Sequence, residues 1–417
     1  MLAFSKSGCH HLIMEKFTLG IERVLQESEL QERLEGKRVA LVGHPASVTK
    51  KLEHSLDALI SKTSLNVVKA FGPQHGMRGE KQDNMIESDD YLDPLHQIPV
   101  HSLYGEVRRP TPKMLEGIDV ILFDLQDVGC RIYTYMTTLI YLMEDLEKYP
   151  QIELWVLDRP NPAGRPIEGH FLDMNFSSFV GAAPTPMRHG LTLGELALWY
   201  EDFKKLKINL HVIPMKNYDL QTAPWYGWPG MELSWVNPSP NMPRLSNARQ
   251  YAGTVLFEGT SLSEGRGTTI PLEIFGAPAL DVERIEKCMR EWAPEWLEGC
   301  ALRKAFFEPT FHKFKGELCR GFQVFTDFPV YDPHKFKPYR LCHLFLKAVH
   351  QVHPDFDLWR KPPYEYETEK LPIDILSGNE ELRHWVEDPK PHVREWDARM
   401  KRDEVRWAER VKPFLLY

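Results

Sequence analysis

The sequence predicts an α/β fold: a mostly parallel sheet with helices on both faces, followed by a smaller mixed α/β domain. Three observations carry this expectation. Short runs rich in Val, Ile and Leu recur over residues 38–213, and each ends in Gly, Pro, Asp or Asn. Between them lie stretches whose apolar residues recur at helical spacing. From about residue 250 the pattern changes to mixed strands and helices.

The elements follow in order. Residues 17–35 place Phe17, Ile21, Val24, Leu25, Leu30 and Leu34 at helical spacing and stop at Gly36. Strands are read at 38–42, 66–71, 98–103, 120–125, 154–157 and 210–213. Runs of this length and composition suit strands covered on both faces. Helices are read at 54–62, 134–148 and 192–206. The last opens with Thr192 three residues before Glu195, the spacing of a capping box. Residues 216–250 are dense in proline and aromatics, which marks an ordered surface structure and not a linker. Helices near 281–292 and 339–352 belong to the second domain. The expected division is an N-terminal extension at 1–16, a catalytic sheet domain at 17–250 and a C-terminal α/β domain at 251–417.

Composition narrows the function. Among 417 residues, 51 are Lys or Arg and 59 are Asp or Glu, a net charge of −8. That balance argues against a general nucleic-acid binder. No stretch has the roughly 18 apolar residues of a membrane span. Six scattered cysteines without a C-x-x-C pair read as reduced thiols. The first residues show no export signal, so the sequence reads as cytoplasmic, with Met1 or Met14 as the start. Dinucleotide and P-loop fingerprints are absent, as are the nucleophile elbow and H-E-x-x-H. His343, His350 and His353 lack a neighbouring carboxylate arrangement, so no metal is expected.

Polar clusters lie just past the carboxyl ends of predicted strands, where open α/β sheets bind ligands. They are Gln74-His75-Gly76, Gln126-Asp127 with Arg131, and Asp158-Arg159 with Asn161. The plainer reading is that Asp and Asn cap the following helices while Gly and Pro make turns. Three clusters at successive strand exits favour one shared crevice. Glu80, Glu168, Glu258 and Glu264 lie in polar or glycine-rich loops, and Arg266 follows the last of them. Carboxylates facing one cleft are what glycoside hydrolysis needs: one protonates the leaving oxygen, and a second, or a substrate acetamido group, handles the anomeric carbon. Each of them has the alternative of a solvated carboxylate or an arginine partner. Tyr133, Tyr135, Trp225, Trp228 and Trp235 offer apolar faces for sugar rings.

The motifs FGPQHGMRG (71–79), IPVHSLYG (98–105), IDVILFDLQDVGCRIYTYMTT (118–138) and VLDRPNPAGRPIEG (156–169) resemble one known family. So do RHGLTLGELA (188–197), SPNMP (239–243), GTVLFEGTSLSEGRGTT (253–269), LPIDILSG (371–378) and the closing FLLY (414–417). They resemble the exo-β-N-acetylmuramidase NamZ family, glycoside hydrolase family 171. The resemblance spans roughly residues 20–417. It implies a Rossmann-like first domain, a smaller α/β second domain and a site in the cleft between them. It implies hydrolytic release of N-acetylmuramic acid from the non-reducing end of peptidoglycan fragments, without a cofactor. The chain would act on a small amino-sugar or muropeptide substrate as a monomer or homodimer.

On this reading the catalytic set is Glu80, His75, Glu168 and Glu264. The substrate-binding set is Gln74, Asp127, Arg131, Asp158, Arg159, Asn161, His189, Asn241, Glu258 and Arg266. Arg131, Arg159 and Arg266 are the cations available to a lactyl carboxylate. Two departures stand out. Many family members carry Glu where this chain has Gln74, and a Gly-Glu pair near Asn84-Met85. Glutamine neither gives nor takes a proton usefully, so Glu80 is the expected acid, its pKa raised by burial in the cleft. The alternatives are an inactive sugar-binding homologue or an esterase or amidase on the same fragments, the last without an elbow serine.

Overall fold

A computed structural model describes residues 17–79, 87–221, 226–365 and 367–417. Among the described residues, ten strands form two sheets. β1 (Arg38–Val42), β2 (Asn66–Gly72), β3 (Tyr91–Leu92), β4 (Pro99–Ser102), β5 (Val120–Phe123), β6 (Glu153–Leu157) and β7 (Asn209–Ile213) make the first. β8 (Ile274–Ala277), β9 (Ala301–Phe307) and β10 (Cys319–Phe325) make the second.

The first sheet has the order β3-β4-β2-β1-β5-β6-β7. All neighbours in it are parallel except the short edge strand β3. Its parallel strands, numbered along the chain, run 3-2-1-4-5-6, the Rossmann order, with the switch point between β1 and β5. The sheet is covered on both sides, as its apolar runs require. Val39, Leu41, Val120, Leu122, Trp155 and Leu157 face one core with helices Gly20–Gln26 and Ser55–Lys62. Ala40, Val42, Ile121, Phe123, Leu154 and Val156 face the other with helix Thr134–Leu146. The alternation follows from side chains pointing to opposite faces along a strand.

The second sheet is antiparallel, in the order β8-β10-β9. Its Phe275 and Phe322 pack edge-on against Phe345 of helix Pro338–Val352, with ring centres 4.9 and 5.8 Å apart. Helices Leu245–Thr254 and Val282–Trp292 complete this smaller unit on the same side.

The edge strand Tyr91–Leu92 and the helices Pro112–Leu115 and Val393–Val411 were not expected from the sequence, and several element bounds differ by a few residues. The 17–35 helix is broken at Glu27, whose backbone is extended. The break brings Leu30 and Leu34 onto the core that already holds Ile21 and Val24. β5 ends at Phe123 and not at 125; the Asp124 amide still donates to the Val42 carbonyl of β1 at 3.0 Å, while its carboxylate binds Arg159. The capping box at Thr192 forms as expected. The Thr192 hydroxyl accepts from the Glu195 amide at 3.3 Å, and the Glu195 carboxylate accepts from the Thr192 amide at 3.0 Å.

No helix among the described residues is long and apolar enough to cross a membrane. The five described cysteines are free.

Candidate active site

The switch point itself is filled. His44, at the end of β1, is fully buried there, and its Nε2 accepts the Gln126 amide at 2.7 Å. Its Nδ1 then carries the proton and faces the Pro238 carbonyl at 3.3 Å. Burial, aided by the Arg159 charge, holds this imidazole well below its ordinary pKa, so it stays neutral. The proline-rich segment therefore plugs the crevice where a nucleotide would sit in a dinucleotide-binding sheet.

A hollow lies beside this plug, lined by the segments that follow β2 and β5, the two strands flanking β1. On the sheet side it is lined by Gln74 and His75, by Tyr133, Thr134 and Tyr135, and by Ser239 and Asn241. The second unit supplies Tyr251, Glu258, Arg266, Tyr364 and Glu365. β2 runs into a tight turn closed by the Gly76 amide donating to the Pro73 carbonyl at 3.0 Å. That turn holds His75 at φ 73°, a left-handed conformation unusual for a side-chain-bearing residue. Gln74 is fixed by the Thr134 hydroxyl, which donates to its Oε1 at 2.9 Å. Tyr133 stands edge-on to Tyr135 and Tyr251, with centres 4.9 and 5.5 Å apart. The wall so formed is aromatic and rigid.

The opposite wall is charged. Glu258, on the 3-10 turn Val255–Gly259, pairs with Arg266 at 2.6 Å and accepts the Tyr364 hydroxyl at 2.9 Å. Arg266 in turn contacts Glu264 at 3.2 Å, and Lys313 meets Glu264 at 2.8 Å. Glu264 is driven well below the ordinary carboxylate range: burial opposes ionisation, but Lys313, His312 and Arg266 outweigh it. Glu365 behaves in the opposite way. Burial first, then the neighbouring Glu258 charge, push its carboxyl up to about 7. It too has a left-handed backbone, at φ 45°. Strained residues of this kind collect at functional sites.

Of the sequence candidates, Gln74, His75, Asn241, Glu258 and Arg266 share this hollow. Glu80 lies outside the described residues. The others have different surroundings. Arg131 is fully buried and donates to the carbonyls of His170, Thr185, Leu376 and Ser377, so it ties the two units together. Arg159 makes a buried bidentate pair with Asp124 at 2.6 and 2.8 Å. Asp158 accepts from Thr192, the Gly194 amide and the Tyr417 hydroxyl, holding the start of helix Leu193–Lys204. Asn161 binds the carbonyls of Gly164 and Leu191. It packs so closely that a Cβ on Gly129 would meet its Oδ1 at 2.2 Å.

Glu168 accepts the amides of Tyr339 and Arg340 at 3.2 and 2.9 Å and caps helix Pro338–Val352. Asp127 accepts the Gly129 amide, and His189 lies behind it with Nε2 3.7 Å from its carboxylate. Glu264 is enclosed by Arg266, Lys313 and the His312 ring, at 3.2, 2.8 and 3.3 Å. For Asp158 and Glu168 the capping alternative is therefore the one the geometry favours. Sequence reasoning missed Tyr251, Tyr364 and Glu365. The available signal was the run PPYEYE at 362–367, a glutamate set among aromatics behind two prolines.

Among the described residues, no group of three or more His, Cys, Asp or Glu side chains is arranged to hold a metal ion. The fold and hollow define a class: a Rossmann-like sheet whose carboxyl edge, covered by a second unit, presents two unlike carboxyl groups opposite an aromatic wall. Comparison with known proteins gives the family. Residues 39–246 match the N-terminal domain of exo-beta-N-acetylmuramidase NamZ, and residues 249–417 match its C-terminal domain. The chain is 38% identical over 375 residues to peptidoglycan beta-N-acetylmuramidase NamZ of Bacillus subtilis (strain 168), covering 89% of this chain and 85% of that protein. Two crystal structures of DUF1343 family proteins from Bacteroides fragilis NCTC 9343 are also similar. One has a TM-score of 0.83 at 30% identity, covering 96% of this chain and 99% of the other. The second has a TM-score of 0.73 at 29% identity, covering 97% and 99%. The chain belongs to the NamZ family.

Proposed function

We propose that this chain is an exo-acting glycosidase that releases N-acetylmuramic acid from the non-reducing end of peptidoglycan fragments. The observation that carries this reading is the hollow holding Glu258 and Glu365 against Tyr133, Tyr135 and Tyr251. Aromatic faces suit the apolar side of a sugar ring. Two carboxyl groups in unlike environments suit cleavage of its linkage. Arg266, which lines the same hollow and pairs with Glu258 and Glu264, is the candidate cation for a lactyl carboxylate. The division of labour is a sheet unit that ends before helix Leu245–Thr254 and a covering unit that begins with it, each supplying part of the pocket lining.

Incubation with a β-linked chromogenic N-acetylmuramide tests the reading. Wild-type protein releases the chromophore, and Glu258→Gln slows release by at least ~100-fold, the scale of losing acid–base or carboxylate assistance. Wild-type protein that releases nothing contradicts the reading. Glu80→Gln belongs in the same series, because the sequence places an acid role there.

Gln74 favours a second reading, an inactive sugar-binding homologue, since an amide replaces the glutamate common in the family. Calorimetry separates the two. Tight binding of fragments with no product on long incubation supports the binding module.

A further inference from the structure

Glu365 lines two adjoining spaces. One is the enclosed hollow with Tyr133, Asn241, Glu258 and Arg266. The other is an open groove on the outer side, lined by Gly105, Arg108, Ser178, Phe179 and Glu367. Among the described residues, Glu365 is the one that lines both. In an exo-acting glycosidase the terminal sugar occupies a closed pocket, the rest of the chain leaves through an open one, and the linkage lies at the junction. The groove wall carries the Arg108 guanidinium, which covers the buried Tyr104 ring at 4.2 Å and lies 5.8 Å from the Phe179 ring, a cation and an aromatic side chain on one face.

From this placement, and resting on the glycosidase reading, we infer that Glu365 is the general acid that protonates the leaving glycosidic oxygen. Among the described residues, the charged and titratable groups around it are Glu258, Arg266, His75, Tyr133, Tyr135, Tyr251 and Tyr364 on the hollow side and Tyr104, Arg108, Glu87, Glu106 and Glu367 on the groove side. The Tyr104 hydroxyl approaches Glu365 Oε2 at 3.4 Å. Glu258 beside it is already committed to Arg266 and the Tyr364 hydroxyl, so the pair divides into one ion-paired carboxylate and one carboxyl that keeps its proton near neutrality. In the step, the bond between C1 and the bridging oxygen breaks and its electron pair stays on that oxygen. The oxygen takes the Glu365 proton and leaves as an alcohol. Water supplies hydroxyl to C1, and the proton that water gives up restores the carboxyl pair.

The test compares two β-N-acetylmuramides, one with a nitrophenolate leaving group and one with a sugar leaving group. An activated phenolate departs without protonation; a sugar alkoxide does not. Glu365→Gln is expected to cost at least ~100-fold in kcat on the sugar-linked substrate and under ~10-fold on the nitrophenyl one. The wild-type loss of activity above neutral pH is expected to disappear in the variant. Equal loss on both substrates, or no loss on either, overturns the assignment, as does finding this selective signature in Glu80→Gln instead. Wild-type protein that cleaves neither substrate contradicts the glycosidase reading itself, a different outcome from an active enzyme indifferent to Glu365.

Discussion

Glu264 and Glu365 are glutamates of the same unit, and their surroundings send them in opposite directions. Glu264 is held ionised by Lys313, Arg266 and His312. Its folded-state pKa lies below the ordinary 4.5, so its contribution to stability is fully present above that value and is lost as the pH falls below it. Replacing it by glutamine takes from Lys313 its carboxylate partner and leaves the buried Arg266 with Glu258 alone. Glu264→Gln is therefore expected to cost about 3–5 kcal/mol in denaturant unfolding at neutral pH, with the difference from wild type shrinking in acid. A variant as stable as wild type would show the cluster to be unimportant. Glu365 has a raised pKa of about 7; as the acid it works while protonated, so kcat falls as the pH rises through about 7. For Arg266, Arg266→Met is expected to raise KM for muramyl substrates far more than for substrates lacking the lactyl carboxylate. Little of this could be read from the chain. A glutamate in a glycine-rich loop looks the same whether cations or apolar walls await it, and only folding brings Lys313 to Glu264.

At the scale of elements, the parallel strands were legible because they form short buried apolar runs, and several helices because their apolar residues recur at helical spacing; the longest helix, Val393–Val411, whose buried residues are only Trp396, Met400, Trp407 and Val411, was not expected from the sequence. β1 has the expected bounds, 38–42, and the Thr192 box marks the start of its helix. Thr192→Ala removes the cap and is expected to cost ~1 kcal/mol, read as a lowered melting temperature with unchanged kcat. The misread parts were strand-end polar residues. Asp158 sits where ligand-binding side chains sit in this fold, yet its carboxylate is consumed by Thr192, Gly194 and Tyr417. The Tyr417 hydroxyl that reaches it comes from the far end of the chain, and no local pattern announces such a contact. Likewise, nothing in the 216–250 segment shows that Pro238 plugs the switch point beside His44.

At the scale of the whole molecule, the two sheets are joined by buried bonds and not by one linker. Arg131 holds Leu376 and Ser377, Glu168 caps Pro338–Val352, and the Trp407 indole donates to the His189 carbonyl at 2.8 Å. The Tyr417 hydroxyl also accepts the Met215 amide at 2.7 Å. One apolar core runs through both units. Calorimetry is expected to show a single unfolding transition, and residues 17–250 alone are expected not to fold stably; two resolved transitions would contradict this. The same joining completes the pocket, since its aromatic wall and its carboxyl groups come largely from different units. The most direct test is a crystal structure of the protein soaked with N-acetylmuramic acid. The sugar is expected between Tyr133 and Glu258, with its anomeric carbon toward Glu365 and its lactyl group toward Arg266. Sugar bound at the β1–β5 switch point, or anywhere outside this hollow, would contradict the account.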